Sequence, residues 1–118
     1  AIYLDGAHNK EGIEALVRNY SGLNRPVITV FSALKDKPGR WMASKLSQVS
    51  DELIITSINN GRFDSMDSLS IDGAVMVADE NQAVDQAVKL AGENGTVVIC
   101  GSLYFISDIR KRWKTGQD

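Results

Sequence analysis

Val27-Ile28-Thr29-Val30-Phe31 is apolar or β-branched at every position and holds no charged residue. A strand with one wet face alternates polar and apolar residues. A strand covered on both faces does not, and strands of that kind belong to parallel sheets. Four further runs read the same way: Ile2 to Leu4, Leu53-Ile54-Ile55-Thr56, Ala74 to Ala78, and Thr96-Val97-Val98-Ile99-Cys100. Between them the period changes. From Glu11 to Tyr20, the residues Ile13, Leu16, Val17 and Tyr20 recur at i, i+3, i+4 and i+7, the mark of a one-sided helix. Met42, Leu46 and Val49 repeat that stripe after Pro38, a residue that a helix's first turn tolerates. Glu80 to Ala91 carries Ala83, Val84, Ala87, Val88 and Ala91 on one face and ends at Gly92 and Gly95. Leu103 to Trp113 forms a closing helix, with Arg110, Lys111, Arg112 and Lys114 where the helix dipole favours cations. This alternation predicts an α/β fold, a Rossmann-like three-layer sandwich with a mostly parallel sheet of about five to six strands flanked by helices. Residues 59–73 are polar, with at most one helical turn near Ser65 to Leu69. Any antiparallel strand or irregular crossover is expected in that link.

At 118 residues, 43% hydrophobic and 24% charged, the composition is that of one globular domain spanning residues 1–118. Thirteen basic against fifteen acidic side chains leave a net charge of −2, which argues against a nucleic-acid partner. No apolar run approaches the roughly 20 residues of a membrane helix. The one cysteine, Cys100, favours a reducing, cytoplasmic setting. The chain opens directly on a strand, without Met or a charged leader, so it is expected to be a piece excised from a larger protein.

In an open parallel sheet, ligands bind outside the carboxyl ends of the strands. The segments at those ends are Asp5 to Lys10, Ser32 to Lys37, Ser57 to Arg62, Asp79 to Asn81 and Gly101 to Tyr104. The only histidine, two lysines, an arginine, several aspartates and a Gly-Ser pair fall there, whereas the opposite edge reads mainly as turns. In Asp5-Gly6-Ala7-His8-Asn9, Gly6 allows a tight turn or close approach and Asp5 could accept from ribose hydroxyls. A histidine at His8 could donate to phosphate or carboxylate oxygen, or change protonation near neutral pH. The alternative is that Asn9 caps a helix while Asp5 and His8 tie down their own loop. Lys35-Asp36-Lys37 could meet a carboxylate or phosphate, or could be a solvated face. Gly101-Ser102 offers a hydroxyl and backbone N–H groups at a helix start, for an anion or for capping alone.

Other chemistries are poorly served. Neither phosphate-cradling glycine motif is present in the first loop. Cys100 reads as an inert core thiol, since a phosphatase-like cysteine would want an arginine six residues on, where Ile106 stands. A phospho-receiver would need an acid after the third strand, where Thr56-Ser57 stands. Trp41 and Trp113 read as packing residues.

Leu4-Asp5-Gly6-Ala7-His8-Asn9 resembles the start of the C-terminal domain of folylpolyglutamate synthases, in the Mur ligase superfamily. Phe31-Ser32-Ala33-Leu34-Lys35-Asp36-Lys37 is similar to that family's strand-two loop, and Val98 to Tyr104 to its last strand and Gly-Ser-Leu-Tyr turn, with Phe105 to Arg110 continuing as its closing helix. Pro38 departs from the acidic residue that many members carry there. The resemblance implies an ATP-dependent amide ligase that phosphorylates the terminal glutamate carboxylate of a folate, whose acyl phosphate the amine of L-glutamate then attacks. It implies ATP-ribose or adenine contact for Asp5, and a place for His8 beside nucleotide and glutamate as an assisting group. It implies glutamate-carboxylate contacts for Lys35 or Lys37, glutamate seating by Ser102 and Tyr104, and roles for Asn9 (nucleotide) and Arg62. The phosphate loop, the Mg2+ ligands and most of the folate site are expected in an N-terminal region. No metal site and no catalytic nucleophile are expected in residues 1–118, and this chain alone is expected to be inactive. Alternatives are a bifunctional dihydrofolate synthase or another Mur-type amide ligase and, in another class, a non-catalytic nucleotide- or partner-binding α/β module.

Overall fold

A computed structural model describes residues 1–58 and 62–114. The five apolar runs are strands β1 (Ile2–Asp5), β2 (Val27–Phe31), β3 (Glu52–Thr56), β4 (Val75–Val77) and β5 (Thr96–Cys100). Helices α1 (Lys10–Arg18), α2 (Gly39–Val49), α3 (Met66–Leu69), α4 (Glu80–Ala91) and α5 (Leu103–Lys114) separate or follow them. Helix α1 is shorter than its apolar period implies: it ends at Asn19, and Tyr20 sits in a separate 3-10 turn with its side chain still in the core. The side chains of Arg112, Trp113 and Lys114 lie outside the described set, as do residues 59–61 of the long link.

The strands form one sheet in the order β1-β5-β2-β3-β4, and every pairing is parallel. Among the described residues the link from β3 to β4 therefore holds no antiparallel strand of the sheet. Helix α3 makes the crossover, and among the described residues the antiparallel character of the link is confined to one bridge, Leu34 to Phe63. Helices α1, α2 and α3 cover one face, where Ile13, Leu16, Met42, Leu46 and Leu69 pack on Phe31, Leu53, Ile55 and Val98. On the other face, Ala83, Val84 and Ala87 of α4 and Phe105 and Ile109 of α5 pack on Ile28, Val30, Ile54 and Ile99. Both β2 and β5 are buried at every residue, as their unbroken composition requires. The outward crossovers carry their helices on one face and the return from β4 to β5 carries α4 on the other, so all four share one hand.

This order sets the site. Strand β5 lies between β1 and β2, and its following helix goes to the opposite face from α1 and α2. Loops leaving neighbouring strands toward opposite faces open a crevice at the carboxyl edge.

Candidate functional site

Three loops meet at that crevice. The N–H of Gly101, after β5, donates to the carbonyl of Ala7, after β1, at 3.0 Å. On its other side Gly101 lies against Ser32, after β2: a Cβ there would collide with the Ser32 carbonyl. Its φ of +116° is a conformation that glycine alone adopts readily. At Gly6 a Cβ would run into the side chain of Leu103, so the first loop and the start of α5 are in direct contact.

Within the first loop, the Asp5 carboxylate accepts the Ala7 N–H at 2.8 Å. Nδ1 of His8 lies 2.9 Å from the Gly6 carbonyl. A carbonyl can only accept, so Nδ1 carries the proton and Nε2 is left as the ring's outward-acting nitrogen. Asn9 caps α1, its side chain accepting the Gly12 N–H at 2.8 Å. The loop-bracing reading of these residues thus describes part of what they do, while Nε2 of His8 and the second oxygen of Asp5 stand outside that bracing.

The loop after β2 reaches sideways. Leu34 bridges Phe63, the Lys35 N–H donates to the Arg62 carbonyl at 2.9 Å, and the Asp64 N–H donates to the Ala33 carbonyl at 2.8 Å. This ladder brings Arg62 to the crevice, where its guanidinium lies 5.3 Å from the centre of the Tyr104 ring. A groove of about 430 Å³ results, lined by Leu34, Lys35, Asp36, Arg62 and Tyr104. Lysine and arginine around an open groove suit a carboxylate, and arginine can bind one through two parallel hydrogen bonds. Lys37 is not among the groove's walls: it is half-buried, and its backbone closes the turn into α2. Ser102 is fully buried, and its Oγ accepts the Tyr104 N–H at 3.1 Å, so it acts as the cap of α5. Tyr104 itself is 52% exposed.

Two neighbours of this site fall in the segments named from sequence but carry no role there. Leu103 is 63% exposed and covers Gly6, and nothing local signals a contact that only the placing of β5 beside β1 creates. Ser32 is buried and, among the described residues, its Oγ has no hydrogen-bond partner. Cys100, by contrast, is the buried thiol expected of it, and burial raises its pKa above the usual thiol range. Among the described residues no three His, Cys, Asp or Glu side chains group to hold a metal ion, and no helix is long and apolar enough to cross a membrane.

The fold and its carboxyl-edge crevice define a Rossmann-like α/β module with its candidate site loops on one side. The chain belongs to the Mur ligase family, glutamate ligase domain, whose pattern matches residues 1–103. It is 39% identical, over 96% of its length, to a dihydrofolate synthase/folylpolyglutamate synthase of Bacillus subtilis, of which it covers 28%. The solved bifunctional folylpolyglutamate synthase/dihydrofolate synthase of Yersinia pestis, complexed with AMPPNP and a manganese ion, superposes with a TM-score of 0.88 at 25% identity, over 96% of this chain and 28% of that one. Another bifunctional folylpolyglutamate synthase/dihydrofolate synthase, with manganese, AMPPNP and L-glutamate bound, gives a TM-score of 0.82 at 26% identity, over 94% of this chain and 29% of that one. The chain thus spans under a third of the length of the relatives it matches.

Proposed function

We propose that this chain is the C-terminal domain of an ATP-dependent folylpolyglutamate synthase, a larger cytoplasmic enzyme, and forms one wall of the cleft that holds ATP and incoming L-glutamate. The observation that carries this reading is the meeting of three strand-exit loops through Gly101, with His8 and Asp5 on one side and the Lys35–Arg62–Tyr104 groove on the other. The Bacillus relative's name and the ligands of the two solved relatives support ATP, L-glutamate and a divalent ion as reactants and cofactor. That name also favours a second activity, addition of the first glutamate to dihydropteroate, at the same site.

The reaction runs in two displacements. An oxygen of the acceptor's terminal carboxylate takes the γ-phosphoryl group of ATP, releasing ADP. The neutral amine of glutamate then attacks the acyl carbon, the C–N bond forms, inorganic phosphate leaves with the C–O electron pair, and the amine's proton passes to solvent. No nucleophile from the enzyme is required, so the work is positioning, which removes on the order of 7–11 kcal/mol in favourable cases. In this division of labour Asp5 and Nε2 of His8 face the nucleotide, with Asn9 holding the helix beneath them. Lys35 and Arg62 hold the glutamate carboxylates, Tyr104 supports Arg62, Ser102 sets the first turn of α5, and Lys37 steadies the loop. Among the described residues no three His, Cys, Asp or Glu side chains gather for a magnesium ion; its ligands are assigned in this proposal to the remainder of the ligase, and no step here is routed through it.

Kinetics of the full-length enzyme test the reading. Arg62→Ala and Lys35→Ala are expected to raise KM for L-glutamate about tenfold or more while leaving KM for ATP nearly unchanged, the size of a lost charge-assisted hydrogen bond. Asp5→Ala with His8→Ala is expected to abolish most turnover. Undiminished glutamate addition in the latter protein would refute the assignment.

A further inference from the structure

Helix α5 carries an apolar residue where its own packing needs none. Phe105, Ile106 and Ile109 face the core, while Leu103, Ser107, Arg110 and Lys111 lie on the exposed side. Ser107, Arg110 and Lys111 suit water. Leu103 does not, yet it is 63% exposed, more than any other large apolar side chain among the described residues. An apolar residue on the wet face of a helix breaks the pattern that folding alone would select. It does have a seat. Its Cδ2 takes up the space that a Cβ at Gly6 would need. Gly6 has no positive φ, so its own backbone does not demand glycine; the space taken by Leu103 does. The next side chain, Tyr104, lies against the Arg62 guanidinium at 5.3 Å. Two consecutive side chains therefore span the crevice from the Asp5–His8 loop to the Lys35–Arg62 groove, with Leu103 at the boundary between them.

We propose that Leu103 shields the acyl phosphate from water, an inference that rests on the ligase reading above. With the nucleotide on one side of the boundary and glutamate on the other, the intermediate forms and is consumed between them. Two nucleophiles compete for it. When the glutamate amine attacks the acyl carbon, the C–N bond forms and phosphate leaves with the C–O electron pair. When water attacks the same carbon, its oxygen enters the carboxylate, phosphate leaves in the same way and the proton passes to solvent. One ATP is then consumed and no amide is made. The charged groups that hold the reactants cannot prevent this, because they attract water too. A bulky aliphatic side chain seated between the two subsites offers water no hydrogen bond, and keeping water from a reactive intermediate is one of the tasks of an enzyme site.

The test uses the full-length enzyme with a folate monoglutamate as acceptor. It reads ADP formed against γ-glutamyl amide formed, at limiting L-glutamate and in water enriched in the heavy oxygen isotope. The natural enzyme is expected to yield ADP and amide in equal amounts. Leu103→Ala is expected to release about twofold or more ADP per amide, with heavy oxygen entering the carboxylate of the recovered folate. Its thermal unfolding should stay close to that of the natural enzyme, since the side chain removed is mostly exposed. Leu103→Met keeps the bulk and should restore equality. Gly6→Ala fills the seat without altering Leu103 and should uncouple as well. Equal ADP and amide in Leu103→Ala, whatever its KM values, would overturn the proposal. So would an excess of ADP whose heavy oxygen appears only in phosphate, the mark of water attacking ATP directly. Failure of the natural enzyme to form amide from any folate would instead sink the ligase reading, and this inference with it. Coupled turnover in both proteins would leave that reading standing and remove the role given to Leu103.

Discussion

Any side chain at Gly101 would have to adopt a φ of +116° and at the same time push into the carbonyl of Ser32. Either demand is costly alone, since strained backbone of this kind costs on the order of 1–3 kcal/mol. Gly101→Ala is therefore expected to lower stability by at least about 2 kcal/mol in urea unfolding, and to raise KM for glutamate by parting the loops on either side. Asp51, at the opposite edge, makes a different kind of contribution. One of its oxygens accepts the Val27 N–H at 2.6 Å and the Arg25 guanidinium at 2.9 Å. The backbone hydrogen bond first, and then Arg25, hold its carboxyl below the ordinary range. The unfolded chain then binds more protons than the folded one as pH drops below about 4, so the contribution is complete above that value and is lost as pH falls through the lowered pKa. Because the pair is solvent-exposed, Asp51→Asn should cost under about 1 kcal/mol at neutral pH. Its acid unfolding, followed by circular dichroism, should be correspondingly less steep than that of the natural protein.

Among the elements, β2 shows what an apolar run conceals. Thr29 is fully buried, and its Oγ1 lies 2.8 Å from the Tyr20 hydroxyl and 2.6 Å from Ser50 Oγ, which donates to the Leu46 carbonyl at 2.7 Å. The terminal carbonyl orders the relay: Ser50 spends its proton there, Thr29 donates to Ser50, and Tyr20 donates to Thr29. Burial raises the Tyr20 pKa well above the ordinary phenol value, keeping that donor protonated. Thr29→Val keeps the shape but leaves Tyr20 without an acceptor, so a loss of about 1–3 kcal/mol is expected in thermal or urea unfolding. The elements themselves were legible because period and punctuation are local: β2, β5 and α4 follow directly from their composition and caps. Contacts made across the sheet were not. The relay joins residues on three elements, Arg62 reaches its groove only through the Leu34–Phe63 bridge, and Ser102 is indistinguishable in sequence as cap or ligand contact until its burial is known.

For the molecule as a whole, parallel class and helices on both faces could be read from the alternation of elements, whereas strand order could not, because pairing of β5 with β1 and β2 is set by packing over nearly the full chain length. That the candidate loops share one edge was legible, since the carboxyl ends of parallel strands all face one way. That the loops after β1, β2 and β5 share one crevice, and that Lys37 stands back from the groove, required the order itself. The same order has a consequence in time. The strand that joins β1 to β2 is the last of the five to be made, so while a ribosome is still upstream of Thr96, β1 lacks the neighbour it has in the folded sheet and the slot between β1 and β2 stands open. Closure by the most distant partners is the slow kind, and during synthesis the nascent sheet would present two unfilled strand edges to whatever else in the cell pairs with strands.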